Sequence, residues 1–191
     1  MGKTLNKAKK FDASCLEWNK SVYSFISELK PELVVVAQSY GHLAYGADDV
    51  KESKKLVAKS LVEAYEHFSA FGTRVVSIRA TPWMKEDVPM CVSKNNGVYS
   101  KCSTARRKAI REFDPISIAA ELSDKVDLID MNVALCGERA CQPVIGNVLG
   151  ATAAFLWARY LFKNFVQKKI LQKYPKINRY ENKLSQNGFL T

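Results

Sequence analysis

The chain has 191 residues, 47% of them apolar and 25% charged, the makeup of one ordinary globular domain with a sizeable core, and this excludes disorder of the whole chain. Its formal charge of +10 invites a nucleic-acid reading, but the basic residues are spread out and enriched only at the ends, at Lys3, Lys7, Lys9 and Lys10 and again at Lys163, Lys168, Lys169, Lys173, Lys176, Arg179 and Lys183. These are expected to be solvated helix faces and tails, so no nucleic-acid partner is expected, and a basic module binding anionic polymer or lipid headgroups is the alternative.

The longest apolar stretch, residues 144–158, contains Gly146, Asn147 and Gly150 and ends at Arg159, short of the roughly 20 residues that a bilayer needs. The basic N-terminus is not followed by an apolar h-region, so no signal peptide is expected.

In chain order, residues 15–30 place Leu16, Val22, Phe25, Ile26 and Leu29 on one helical face, and Pro31 ends the helix. The β-branched run Leu33-Val-Val-Val-Ala predicts a strand buried on both faces of a parallel sheet. A polar loop follows from Gln38 to Ala47. Asp48 or Asp49 then caps a long helix whose stripe is Val50, Val57, Leu61, Ala64, Phe68 and Phe71, closed by Gly72.

Arg74-Val-Val-Ser-Ile-Arg predicts the next strand, running into an Ala80-Thr-Pro-Trp loop. A basic helical stretch is expected from about Thr104, a short helix after Asp114-Pro115, and a third strand at Val126-Asp-Leu-Ile-Asp. Residues 151–171 read as a last helix, with Ala154, Ala158, Leu161, Phe162 and Phe165 on one side. The alternation of helices and strands predicts a three-layer α/β/α sandwich with a parallel sheet, right-handed crossovers, and ligand sites at the carboxyl ends of the strands.

Cys91 and Cys102 bracket a Lys-Asn-Asn-Gly loop, and Cys136 and Cys141 bracket Gly-Glu-Arg-Ala. These are short loops of the kind that disulfides staple in exported proteins. Zinc is the rival for four cysteines, but neither pair has the CxxC spacing that zinc favours, so no metal site is expected. Cys15 is left unpaired. An odd cysteine in an oxidising compartment asks for a partner outside the chain, and one expectation covers both anomalies: the sequence is the C-terminal part of something longer.

Five blocks occur in order: Cys15-x-x-Trp18 leading into Leu29-Lys-Pro-Glu-Leu-Val-Val-Val; Arg74-Val-Val-Ser-Ile; Asp87-Val-Pro-Met-Cys91 followed by Cys102; Val126-Asp-Leu-Ile-Asp130; and Leu135-Cys136 to Cys141-Gln-Pro-Val-Ile-Gly-Asn-Val-Leu149. With them the chain resembles the SGNH-hydrolase-like domain fused behind the membrane domain of bacterial acyltransferase-3-type O-acyltransferases. The resemblance implies an SGNH/flavodoxin-like sheet lacking its first strand. The resemblance covers roughly residues 12–165, and the chain is expected to divide into a basic tail over 1–11, an SGNH-like domain over 12–173 and a loosely held basic tail over 174–191. It implies an extracytoplasmic location at the membrane or cell surface, an upstream membrane acyltransferase domain as partner, and O-acetylation of a cell-surface glycan acceptor, with no cofactor.

In that family the serine nucleophile lies in a Gly-Asp-Ser block, and an Asp-x-x-His block supplies the base and its orienting carboxylate. A serine hydroxyl is a weak nucleophile until an imidazole takes its proton and a carboxylate fixes the imidazole's tautomer. Neither block occurs here, and Leu149 abuts Gly150-Ala-Thr-Ala-Ala-Phe where the family places its base, as though a short segment were deleted. The family's catalytic residues therefore carry over to no position. The chain is expected to be catalytically incomplete, with a noncatalytic glycan- or partner-binding remnant as the alternative.

The histidines are His42 and His67. A Ser39 and His42 pair at the end of the first strand is the one local substitute for nucleophile and base, with Asp48 or Asp49 orienting the ring; the plainer expectation is a polar loop at a cleft rim. His67 is expected at the edge of a helix stripe. Asp127 and Asp130 flank a strand but fall on opposite faces by alternation. Trp18, Trp83 and Trp157 are expected to be core or packing residues, with Trp83 the one placed to line a sugar-binding cleft.

Overall fold

A computed structural model describes residues 12–38, 43–145, 148–149 and 167–173. Chain contacts divide it into two compact units, Met1–Lys85 with Thr104–Cys141, and Glu86–Ser103 with Gln142–Thr191.

The first unit is built on three parallel strands in the order β1-β2-β4: β1 (Leu33–Ala37), β2 (Arg74–Ile78) and β4 (Val126–Ile129). The register pairs Val35 with Val76 and Ser77 with Leu128. Helices α1 (Ala13–Leu29), α2 (Val50–Ser69) and α5 (Pro115–Leu122) supply the flanking layer, so the protein is α/β with a parallel sheet, as the alternation requires. Its core joins Ala58, Ala64, Tyr65 and Phe68 of α2 to Val75 of β2 and Ala119 of α5, with Tyr23, Ile26, Val34, Val36 and Val126 packed against them. The opposite face of the sheet carries Val76 and Ile129, which are also buried.

Local chemistry sets the helix boundaries. Asp49, in extended conformation, accepts from Glu52 N at 2.7 Å, and Glu52 returns a carboxylate oxygen to Asp48 N, a variant of the capping box. Asp114 caps α5 by accepting from Ser117 N, with Pro115 at the first helical position, where its missing N–H costs nothing. Gly72 takes φ +79° in the turn between α2 and β2, a conformation that disfavours any residue with a Cβ.

Three expectations are corrected. β1 is not buried on both faces: its residues are half-buried and Ala37 is exposed, because among the described strands β1 is an edge. In α1 the packed face runs through Tyr23 and Ile26, whereas Phe25 and Leu29 are exposed, as is Trp18 at 65%. Val50 and Phe71, at the two ends of the expected α2 stripe, are also exposed.

The basic stretch after Thr104 breaks into β3 (Thr104–Ala105) and the single turn α4 (Arg106–Ala109). β3 pairs antiparallel with β5 (Ala140–Cys141), which follows the one-turn α6 (Asn132–Leu135). The Cys136–Cys141 disulfide closes this loop, and Arg106 holds it by donating to the carbonyls of Cys136 and Gly137.

In the second unit, α3 (Val88–Lys94) starts at an Asp87 cap and is stapled by the Cys91–Cys102 disulfide to a 3-10 turn at Tyr99–Cys102. Asn96 and Gly97, at φ +50° and +78°, make the sharp turn between them. Both cysteine pairs are thus disulfides, which removes zinc as their reading. The Pro-Val-Ile-Gly-Asn-Val-Leu run forms a short antiparallel ladder, β6 (Val144–Ile145) with β7 (Val148–Leu149). Of the expected last helix, α7 (Gln167–Lys173) is described; Trp157 and the apolar positions from Ala154 to Phe165 lie outside the described residues.

Candidate functional site

Parallel α/β sheets place ligands at the carboxyl ends of their strands, where successive crossovers open a crevice. At that end of the first unit, β2 runs into Arg79 and β4 into Asp130. Arg79 Nη1 donates to Asp130 Oδ2 at 2.8 Å, and its Nε lies 4.0 Å from Asp114 Oδ2 at the cap of α5. Asp130 Oδ1 accepts from both the backbone N and the Nδ2 of Asn132, each at 2.8 Å. Asn132 Nδ2 also reaches Ala80 O. Asn132 is fully buried, and its Oδ1 has no hydrogen-bond partner in the structure. Gln38, directly after β1, likewise carries a buried Oε1 with no partner.

Ser53 and Lys54 in the first turns of α2 are also buried. Ser53 Oγ accepts from Ala44 N, tying the loop before α2 to the helix. Burial pulls the Lys54 ammonium below its ordinary value, and the Asp114 carboxylate partly opposes this. Burial raises the Tyr65 hydroxyl, whose oxygen accepts from Ser77 Oγ at 2.7 Å in the core of the sheet. Burial pushes the Asp130 carboxyl up, but the Asn132 backbone hydrogen bond and the Arg79 guanidinium outweigh it, and its value lies below the ordinary 3.8.

Chemically this is a clamp rather than an acid–base pair. Asp130 accepts three hydrogen bonds and its carboxyl is held below the ordinary value, both of which favour its role as the ionised partner of Arg79 over that of a general base. The sequence pointed to Asp130 only as one of two aspartates flanking a strand and passed over Arg79, Asp114 and Asn132. The signal that finds them is position: Arg79 directly follows β2, Asp114 caps α5, and Asn132 opens the turn that follows β4.

The sequence-derived candidates fall elsewhere or outside. Ser39 and His42 lie outside the described residues, while Asp49 is committed to capping α2. His67 sits in the last turn of α2, at the opposite end of the sheet. Its Nε2 is 3.1 Å from Ser27 Oγ, but that hydroxyl also lies 2.8 Å from Tyr23 O as its donor, so its proton already has an acceptor. The imidazole stacks on Tyr23 and meets Phe68 and Phe71 edge-on, a packing role. Trp83 is 53% exposed rather than core, and its backbone N–H donates to Ala109 O, which pins the loop after β2 to the end of α4. Cys15 is a free, half-buried cysteine. No group of residues able to hold a metal ion occurs among the described residues.

The fold and the disulfide-stapled loops define an α/β domain with a parallel sheet whose described residues hold no serine–histidine–carboxylate triad. The family model for the SGNH domain fused to AT3 domains matches residues 2–150, most of the chain, and the protein belongs to that family. No curated protein and no solved structure matches it.

Proposed function

We propose that this chain is the extracytoplasmic SGNH-type domain of a membrane O-acyltransferase that modifies cell-surface glycans, and that residues 1–191 form a scaffold without its own acyl-transfer chemistry. The lack of such chemistry is supported by the sequence itself: Leu149 passes to Gly150 with no Asp-x-x-His block, and residues 1–191 contain no Gly-Asp-Ser. Acyl transfer through a serine needs an imidazole within hydrogen-bond reach of the hydroxyl, and His67 serves helix packing instead.

The location is supported by the two disulfides, which belong to oxidising compartments. No helix among the described residues is long and apolar enough to cross a membrane, so membrane attachment falls to the AT3 domain with which the family is fused. The exposed Trp83 near the carboxyl ends of the strands suits stacking on a sugar ring.

The test is hydrolysis of p-nitrophenyl acetate by the oxidised protein, beside a Ser39→Ala, His42→Ala double variant of equal far-UV circular dichroism. No turnover above background in either protein is the expected result. Turnover that disappears in the double variant establishes a relocated Ser39–His42 dyad and refutes the proposal.

A further inference from the structure

The basic stretch after Thr104 folds as β3 and the single turn α4, and this sets where its charges stand. Ala109 closes the turn fully buried, while Arg107 and Lys108 before it are exposed. Arg106 is half-buried, with its guanidinium on the carbonyls of Cys136 and Gly137. Its backbone N–H donates to Arg139 O at 2.9 Å, so the exposed Arg139 lies across the β3–β5 ladder from the start of α4. The loop after β2 joins them: Trp83 N donates to Ala109 O at 2.8 Å, and Lys85 N donates to Thr104 Oγ1 at 2.9 Å.

Three stretches distant in sequence are thus fastened side by side within the first unit. Residues 81–85, 104–112 and 137–141 carry six basic residues against the acidic Glu112 and Glu138. Among the described residues no ion pair neutralises Arg107, Lys108 or Arg139. Gathered cations of this kind create a positive potential that attracts an anionic partner. Beside them Trp83 keeps 53% of its surface in solvent, on a loop whose backbone is pinned at Trp83 and again at Lys85.

We infer that this surface binds an acidic glycan, a sugar chain whose units carry carboxylate or phosphate groups. The inference rests on the reading that the domain serves a cell-surface glycan, and it adds the charge of that glycan. A guanidinium presents paired N–H donors that match two oxygens of a carboxylate or phosphate, and Arg107 and Arg139 supply two such groups. The open indole of Trp83 offers an apolar face for a sugar ring next to that charge. An anionic bilayer fits less well. A helix that enters a membrane surface carries an apolar face over several turns, whereas α4 is one turn whose apolar residue, Ala109, is buried in the protein.

The experiment is surface plasmon resonance of the oxidised 191-residue chain over immobilised polygalacturonate, phosphomannan and neutral dextran, at low and at physiological salt. The expected result is binding to one or both acidic polymers that weakens as salt rises, with none to dextran; the polymer that binds identifies the anionic group. Arg107→Gln with Arg139→Gln weakens binding about tenfold and Trp83→Ala about threefold. Lys55→Gln with Lys59→Gln removes the same charge from exposed positions of α2 and changes binding less than about twofold. All these side chains are exposed, so each variant keeps the far-UV circular dichroism of the original chain. Hydrolysis of p-nitrophenyl acetate does not involve this surface, so a failure here leaves the proposed lack of acyl-transfer chemistry standing, and the converse holds. Binding to neither acidic polymer overturns the inference, as does an equal loss in the α2 variant. Tighter binding to phosphatidylglycerol vesicles or to a single-stranded oligonucleotide, dependent on Arg107 and Arg139, overturns it as well.

Discussion

Replacing Asp130 by alanine tests whether the cluster at the strand ends is a structural clamp. The carboxylate accepts three hydrogen bonds at 2.8 Å, one from Arg79 and two from Asn132. A hydrogen bond to a charged group contributes about 1.5–3 kcal/mol, but the three act on one group, and the Arg79 and Asp130 side chains are 23% and 31% exposed, so their values do not add fully. Asp114, 4.0 Å from Arg79 Nε, remains to accept part of the guanidinium's charge. The net loss expected is about 2 kcal/mol, or a fall of roughly 4–8 °C in Tm for a chain of this size.

Asp130→Asn retains an acceptor for the Asn132 amide while removing the charge, and is expected to lose about half as much. pH separates the two effects. Because the folded carboxyl titrates below its ordinary 3.8, its contribution is complete above that pH and is lost as pH falls through the lower folded value. Urea denaturation followed by circular dichroism between pH 7 and pH 3 should therefore show the wild type losing part of its advantage over Asp130→Asn at the acid end. A change below 0.5 kcal/mol for Asp130→Ala at pH 7, or an advantage that grows with acid, refutes the clamp.

Removing the Cys91–Cys102 disulfide by paired alanine substitution opens a loop of 11 residues and is expected to cost about 2.8 kcal/mol, against about 2.1 kcal/mol for the 5-residue Cys136–Cys141 loop, both from loop-closure entropy. Urea titration of the two variants ranks them, and a reversed order refutes the entropic account. Tyr65→Phe leaves the buried Ser77 hydroxyl without its partner and is expected to cost about 1–2 kcal/mol with no change in far-UV spectrum; a stability change within 0.5 kcal/mol counts against the bond as a core constraint.

How far the sequence was legible depended on whether the deciding chemistry was local. Asp49 and Asp114 each stand directly before an apolar helical pattern, and a cap's hydrogen bond reaches only two or three residues onward. The β-branched runs at Leu33, Arg74 and Val126 marked the three strands in the same way, and the short spacing within each cysteine pair made disulfide closure readable. The small ladders did not show, because β3 and β5 have two residues each and are joined across an intervening stretch of more than 30 residues, so nothing in either segment names its partner.

The sequence by itself determined the α/β class, the parallel strands, the oxidised cysteine pairs and the absence of the family's catalytic blocks, since each rests on neighbouring residues or on residue identity. Tertiary structure decided which face of each element meets the core. Phe25 and Leu29 fit the helical period of α1 as well as Ile26 does, yet only packing against the core built by α2, β2 and α5 selects the Tyr23–Ile26 side and leaves Trp18, Phe25 and Leu29 in solvent. It also decided that Arg79, Asp114 and Asp130, far apart along the chain, meet at one end of the sheet. Periodicity states that a face exists; the distances among Arg79, Asp114 and Asp130 are set by the strand order and helix packing that carry them there.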